Sequence, residues 1–221
     1  MENLDLMRLF KGFIRNYGTL LLGLDTTTTY TQREVGYWMK LGEMMGYFTQ
    51  QEVQLIIKGK RRKADLLWVG DDFETPVLHL ESENYMYGTK LIANRLDPTI
   101  PYSVAIFWRH GERNDDVFKA AMKLMKKSDS IKQLLLIIWG GEKEPEGNDI
   151  PVIGARFTRR KDYPDIVEGR LRHLEHHKAG LYFGILEEDW ENLWTCDFCS
   201  STFLSREEAE KHEETCPERN D

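Results

Sequence analysis

The feature that most constrains this chain lies at its end, where Cys196-x2-Cys199-x12-His212-x3-Cys216 gathers every cysteine of the 221-residue sequence into its last 26 residues. An odd number of cysteines at this spacing argues for a metal site over a disulfide framework. Four ligands of this kind suit one tetrahedral Zn2+ and leave no open coordination position, so the expected metal is structural. A segment this short cannot fold on burial alone, whereas zinc supplies on the order of 10–16 kcal/mol in finger peptides. Trp194, Phe203 and Ala209 stand at the apolar positions around the ligands.

What remains is long enough for one substantial core. We therefore divide the chain into an α/β domain over residues 1–186 and an acidic junction with the zinc module over residues 187–221. The charge divides at the same place. Residues 187–221 carry 12 acids against Arg206, Lys211 and Arg219, a net −9 within a whole-chain −7, which leaves the first 186 residues at +2. The longest apolar run, residues 134–139, is too short to span a bilayer. Glu2 and Asp5 stand where a signal peptide would be basic, so a cytoplasmic protein with no membrane partner is expected.

Along the domain, helical spacing of Leu4, Met7, Phe10, Phe13, Ile14 and Tyr17 predicts a helix over residues 4–17, with Gly18 as its stop. After the polar run at residues 26–29, a second helix is expected from Thr31 to about Gly46. Glu34 there has two roles open to it: closing a capping box with Thr31, or pointing at a site from the side. Residues 52–57 read as a strand, and Lys58, Lys60, Arg61, Arg62 and Lys63 form a basic turn. A short helix at 89–94, strands at 103–108, 131–139 and 151–157, and a helix introduced by Asp115 and Asp116 complete an alternating pattern. It implies an α/β sheet covered by helices. Residues 142–150 read as a polar loop, 166–178 as a helix carrying His173, His176 and His177 on a solvated face, and 181–186 as a last apolar run.

The chemistry is concentrated between residues 63 and 84. Two apolar runs, 63–69 and 77–84, flank a Gly/Asp/Pro cluster and predict a β-hairpin. Asp65 opens the first strand; Glu81 and Glu83 close the second, on one face by the period of two. Like charges so close resist joint ionisation, and a hard divalent cation removes the conflict. Oxygen ligation of this type suits Mg2+ or Mn2+ with a phosphate substrate. The adjoining basic residues 58–63 would supply countercharge to a nucleic-acid backbone.

Glu34 on a helix, Asp65 on a strand, Glu81-Ser82-Glu83 on the next, then helix and strand, resemble the PD-(D/E)xK nuclease superfamily over about residues 31–108. The resemblance implies a restriction-endonuclease-like mixed sheet flanked by helices, and Mg2+-dependent hydrolysis of nucleic acid, most naturally DNA. Asp65 and Glu81 match the metal-binding acids, the Ser82 carbonyl a further ligand, and Glu34 a helix acid of some members. Glu83 departs from the pattern by standing in the place of the family's lysine. Some members have glutamate there, and Lys90 on the following helix is a candidate for the missing charge. Members that cut both strands often dimerise.

Residues 194–216 similarly resemble a Cys2His2-type zinc finger with Cys in the last His position. Its helix, carrying Glu207, Glu208, Glu210, Glu213 and Glu214, repels phosphate, which favours a protein partner over DNA reading. Two functions therefore stand: a Mg2+ or Mn2+ nuclease in which Asp65, Glu81 and Ser82 hold the ion and Glu83 handles the attacking water, and an inactive nuclease-fold adaptor. A regulator reading DNA through the finger is the weaker third.

Overall fold

The computed structural model describes residues 3–17, 30–140, 149–173, 182–192, 194–199, 202–203 and 206–219. Helix α1 (Leu6–Arg15) begins where Asp5 Oδ1 accepts the backbone N–H groups of Met7 and Arg8, satisfying donors that a helix start leaves open. Helix α2 (Tyr30–Met44) follows. Then come strands β1 (Phe48–Ile57), β2 (Lys60–Val69) and β3 (Pro76–Glu83), helix α3 (Gly88–Asn94), β4 (Tyr102–Trp108), helix α4 (Asn114–Lys127) and β5 (Gln133–Trp139). Strands β6 (Asp149–Thr158), β7 (Asp165–His173) and β8 (Tyr182–Leu186) close the sheet.

The eight strands lie in sequence order. Pairing is antiparallel from β1 to β3, parallel across β3–β4 and β4–β5, and antiparallel again to β8. A parallel pair needs a crossover, and α3 and α4 supply the two. The expectation of a mixed α/β sheet with helices on both sides therefore holds. Alternation along the strands splits the core. Leu66, Trp68, Leu78, Leu80, Ile106 and Ile137 face Phe10, Phe13 and Trp38 of α1 and α2. Phe107, Leu136 and Ile138 face Leu91, Val117 and Leu124 of α3 and α4. Close approach demands glycine at two contacts: a Cβ on Gly184 would lie 2.0 Å from the Ile14 carbonyl oxygen, and one on Gly88 would lie 2.2 Å from Phe107.

Three local expectations change. Of the helix expected over 166–178, residues 166–173 are instead part of strand β7, in which Val167, Gly169 and Leu171 turn inward while Ile166, Glu168 and Arg170 are exposed, a period of two. His173 ends that strand, and His176 and His177 lie outside the described residues. Thr31 is not a helix cap, because α2 already includes Tyr30. The basic turn is only Lys58-Gly59, and residues 60–63 belong to β2. Residues 26–29, the proposed stop at Gly18 and most of the 142–150 loop fall outside the described residues.

After β8 a 3₁₀ turn (Glu187–Asn192) runs beside α1. Arg15 binds Asp189 and Glu188, each at 2.8 Å, and Lys11 binds Glu188 at 2.5 Å. The acidic junction is thus paired with the basic face of α1. Beyond it, β9 (Trp194–Thr195) and β10 (Thr202–Phe203) form a small hairpin, followed by helix α5 (Arg206–Thr215).

Candidate functional site

The module at the end of the chain brings its four expected ligands together. The ligand atoms of Cys196, Cys199, His212 and Cys216 all lie within 4.8 Å of one another, with Cys199 Sγ 3.1 Å from His212 Nε2. Three sulfurs and one imidazole form a donor set that fits Zn2+. Phe203 packs on the His212 ring at 4.9 Å between centroids, and Ala209 is buried beneath the helix. Among the described residues this is the one group of three or more such side chains arranged closely enough to hold a metal.

Of the hairpin's acids, Asp65 lies midway along β2, and Glu81 and Glu83 lie at the end of β3. One step beyond the Leu66–Leu80 pair, Asp65 stands opposite Glu81, and Asp65 Oδ2 accepts the Ser82 backbone N–H at 2.8 Å. Burial lifts the Asp65 carboxyl to about 6; the Ser82 N–H opposes this, Glu81 adds to it, Arg95 opposes it and Glu83 adds to it. Glu83 Oε1 accepts the Tyr85 backbone N–H at 3.1 Å.

Glu81 is fully buried, and both of its oxygens are engaged. Oε1 lies 2.8 Å from His79 Nε2, and Oε2 accepts from Arg95 Nε at 3.1 Å. His79 Nδ1 accepts the Asp97 backbone N–H, so the proton of the neutral ring sits on Nε2 and is donated to Glu81. Sequence reasoning did not foresee His79 or Arg95. Lys90 is exposed beside the Tyr87 ring, and it is Arg95 that reaches Glu81.

Glu34 is buried but comes from the other side of the sheet. Its Oε2 accepts the Ser82 hydroxyl at 2.6 Å and its Oε1 accepts Trp139 Nε1–H at 2.8 Å. Strand alternation places Ser82 on the α2 face and Glu81 on the α3 face, so Glu34 lies across the sheet from Glu81 and is linked to Asp65 through Ser82. Burial, partly offset by the Ser82 and Trp139 hydrogen bonds, raises its carboxyl to about 7.

Arg61 and Lys63 alternate onto the same face of β2 as Asp65. Lys63 pairs with Glu52 at 2.7 Å, Lys58 binds the Ala93 carbonyl at the end of α3, and Lys60 and Arg61 are exposed. Glu52, opposite Asp65 in the β1–β2 register, takes the left-handed φ of 56°. Among the described residues no helix is long and apolar enough to cross a membrane.

Comparison with protein-family models, with curated proteins and with solved structures found no match.

Proposed function

We propose that this protein is a metal-dependent nuclease on a restriction-endonuclease-like sheet, hydrolysing phosphodiester bonds of nucleic acid, with DNA the expected substrate. The observation that carries this reading is the meeting of Asp65 and Glu81 across β2–β3, with Glu83 close enough to raise the Asp65 carboxyl. The element order supports it as well, since α2, β1, β2, β3, α3 and β4 follow one another in a mixed sheet with helices on either side, as the superfamily resemblance implies.

The all-oxygen donor set fits a hard cation. Asp65 and Glu81, with the Ser82 carbonyl, would hold Mg2+ or Mn2+, which lowers the pKa of bound water and polarises phosphate when present. The remaining work belongs to side chains. His79 fixes the orientation of Glu81 through its Nε2–H. Arg95, with 23% of its side chain exposed, neutralises Glu81 and can turn toward a phosphate oxygen, to which a guanidinium binds well. Glu83 keeps Oε2 for the attacking water and would accept its proton. Arg61 and Lys63, on the Asp65 face of β2, and Lys58 in the turn before it would hold the nucleic-acid backbone, while Lys60 and Arg62 alternate onto the other face. Glu34 acts from behind the strand by fixing Ser82, as a positioning residue.

One observation favours the alternative of an inactive adaptor that binds nucleic acid and recruits a protein through its acidic finger: both Glu81 oxygens are already engaged within the chain. Mn2+ binding separates the two. The nuclease should bind Mn2+ in addition to zinc and lose that binding, together with cleavage, in Asp65→Ala. Cleavage that persists in Asp65→Ala would remove the assignment.

A further inference from the structure

A cleft outlined by described residues begins at Asn84, one residue past Glu83, at the C-terminal ends of the parallel strands β3, β4 and β5. Open α/β sheets bind ligands at such strand ends. Its volume of about 920 Å³ is ample for a small organic ligand. Tyr85, Trp108 and Trp139 supply aromatic wall, and Arg109, His110 and Arg113 supply donors, with Asp115 the one acid among the described lining residues.

The wall is built rather than incidental. Arg109 is buried, its Nε donates to the Glu112 carbonyl at 2.7 Å, and its backbone N–H donates to the Trp139 carbonyl at 2.9 Å. Glu112 in turn accepts the Gly88 and Thr89 backbone N–H groups at the start of α3. His110 holds a left-handed φ of 47° and contacts the Asn84 carbonyl, the kind of local strain that surrounding contacts must maintain. Asn114 Oδ1, at the first turn of α4, is a buried acceptor without a hydrogen-bond partner among the described residues. Asp115 is exposed and pairs with Arg113 at 3.4 Å, so among the described lining residues two guanidinium groups stand against one carboxylate.

Aromatic faces, cationic groups and a buried amide acceptor together match a nucleotide: a base to stack, a phosphate to neutralise and an amino or hydroxyl group to donate. We propose that this cleft takes one nucleoside 5′-monophosphate unit, the unpaired terminal nucleotide of a strand whose backbone crosses the acids at Glu81 and Glu83. The choice of a nucleotide rests on the nuclease proposal, and it makes single-stranded ends the substrate class. Tyr85 and Trp108 stack the base, Arg113 binds the phosphate, and Asn114 Oδ1 accepts from the base edge or sugar.

The test is calorimetric titration of the zinc-loaded full chain, without Mg2+, by deoxyadenosine 5′-monophosphate, deoxyadenosine and inorganic phosphate. Tyr85→Ala and Arg113→Glu serve as variants because both side chains are exposed and folding is not at risk. The nucleotide should bind at least tenfold more tightly than either fragment, and each variant should weaken it at least fivefold. A 5′-phosphorylated single strand should compete, and a blunt duplex should not. A nucleotide that binds no better than phosphate, indifference to both variants, or equal competition by duplex would overturn the proposal. Wild-type protein that binds the nucleotide this way but cleaves nothing would refute the nuclease and leave the cleft. Cleavage by a protein that fails to bind the nucleotide would do the reverse.

Discussion

Glu34 shows how one side chain ties buried polar chemistry to stability. Its carboxyl lies at about 7 against an ordinary 4.5, so the native chain holds this proton at pH values where the unfolded chain has released it. The contribution of Glu34 to stability is therefore greatest below about 4.5, declines as pH rises to about 7, and is flat beyond, by roughly 3 kcal/mol in all. Glu34→Gln should remove that decline and be the more stable protein above pH 7, with Asp65 leaving a smaller slope of the same sign. Urea unfolding from pH 4 to 8 without added divalent ion checks this, and parallel curves for both proteins would contradict it. The hairpin that carries Asp65, Glu81 and Glu83 was legible in the sequence, because two period-two apolar runs flank a turn cluster. The partners of the acids were not: His79 is one strand period from Glu81, but its role depends on the Asp97 N–H, Arg95 arrives from beyond α3, and Trp139 lies 105 residues from Glu34. Contacts of that separation leave no local pattern.

At the level of elements, periodicity predicted the helices and central strands to within a few residues. It failed where a chemical clue competed with it. Residues 166–178 read as a helix carrying three histidines, although Val167, Gly169 and Leu171 already alternate with Glu168 and Arg170 as a strand requires. The glycines of β8 and α3 carried no readable signal, since only the packed structure shows what meets them. Gly184→Ala should cost on the order of 1–3 kcal/mol by driving α1 off the sheet, seen as a lowered urea midpoint with an unchanged slope. The zinc module makes the opposite case, because ligand spacing alone foretold the convergence of four side chains. A chelator should unfold the module, with loss of helical signal from Arg206–Thr215, while the eight-stranded sheet stays folded. A sheet that melts together with the module would contradict that independence.

For the whole molecule, composition showed a basic domain and an acidic tail but not that they meet. Lys11 and Arg15 of α1 bind Glu188 and Asp189, so part of the tail's charge is spent within the chain. Each exposed pair is worth about 0.2–1 kcal/mol and weakens with salt. Arg15→Glu should therefore leave global stability within about 1 kcal/mol of wild type yet speed limited proteolysis at the junction, an effect that high salt should reproduce in the wild type. Equal cleavage rates in both proteins at low salt would show that the ion pairs do not hold the junction. Strand order follows from the same scale of reasoning. The alternation of strands and helices implied a covered sheet, while the exit of β6, β7 and β8 as an antiparallel extension was visible only once residues 166–173 were seen as strand.

The most direct test of the central claim is cleavage of labelled single-stranded DNA, duplex DNA and RNA by the zinc-loaded chain with Mg2+ or Mn2+, beside Glu81→Ala prepared identically. The account predicts metal-dependent cleavage by the wild type, strongest on DNA with single-stranded ends, and none by the variant. Equal products from both proteins, or none from the wild type on any substrate with its zinc module intact, would contradict it.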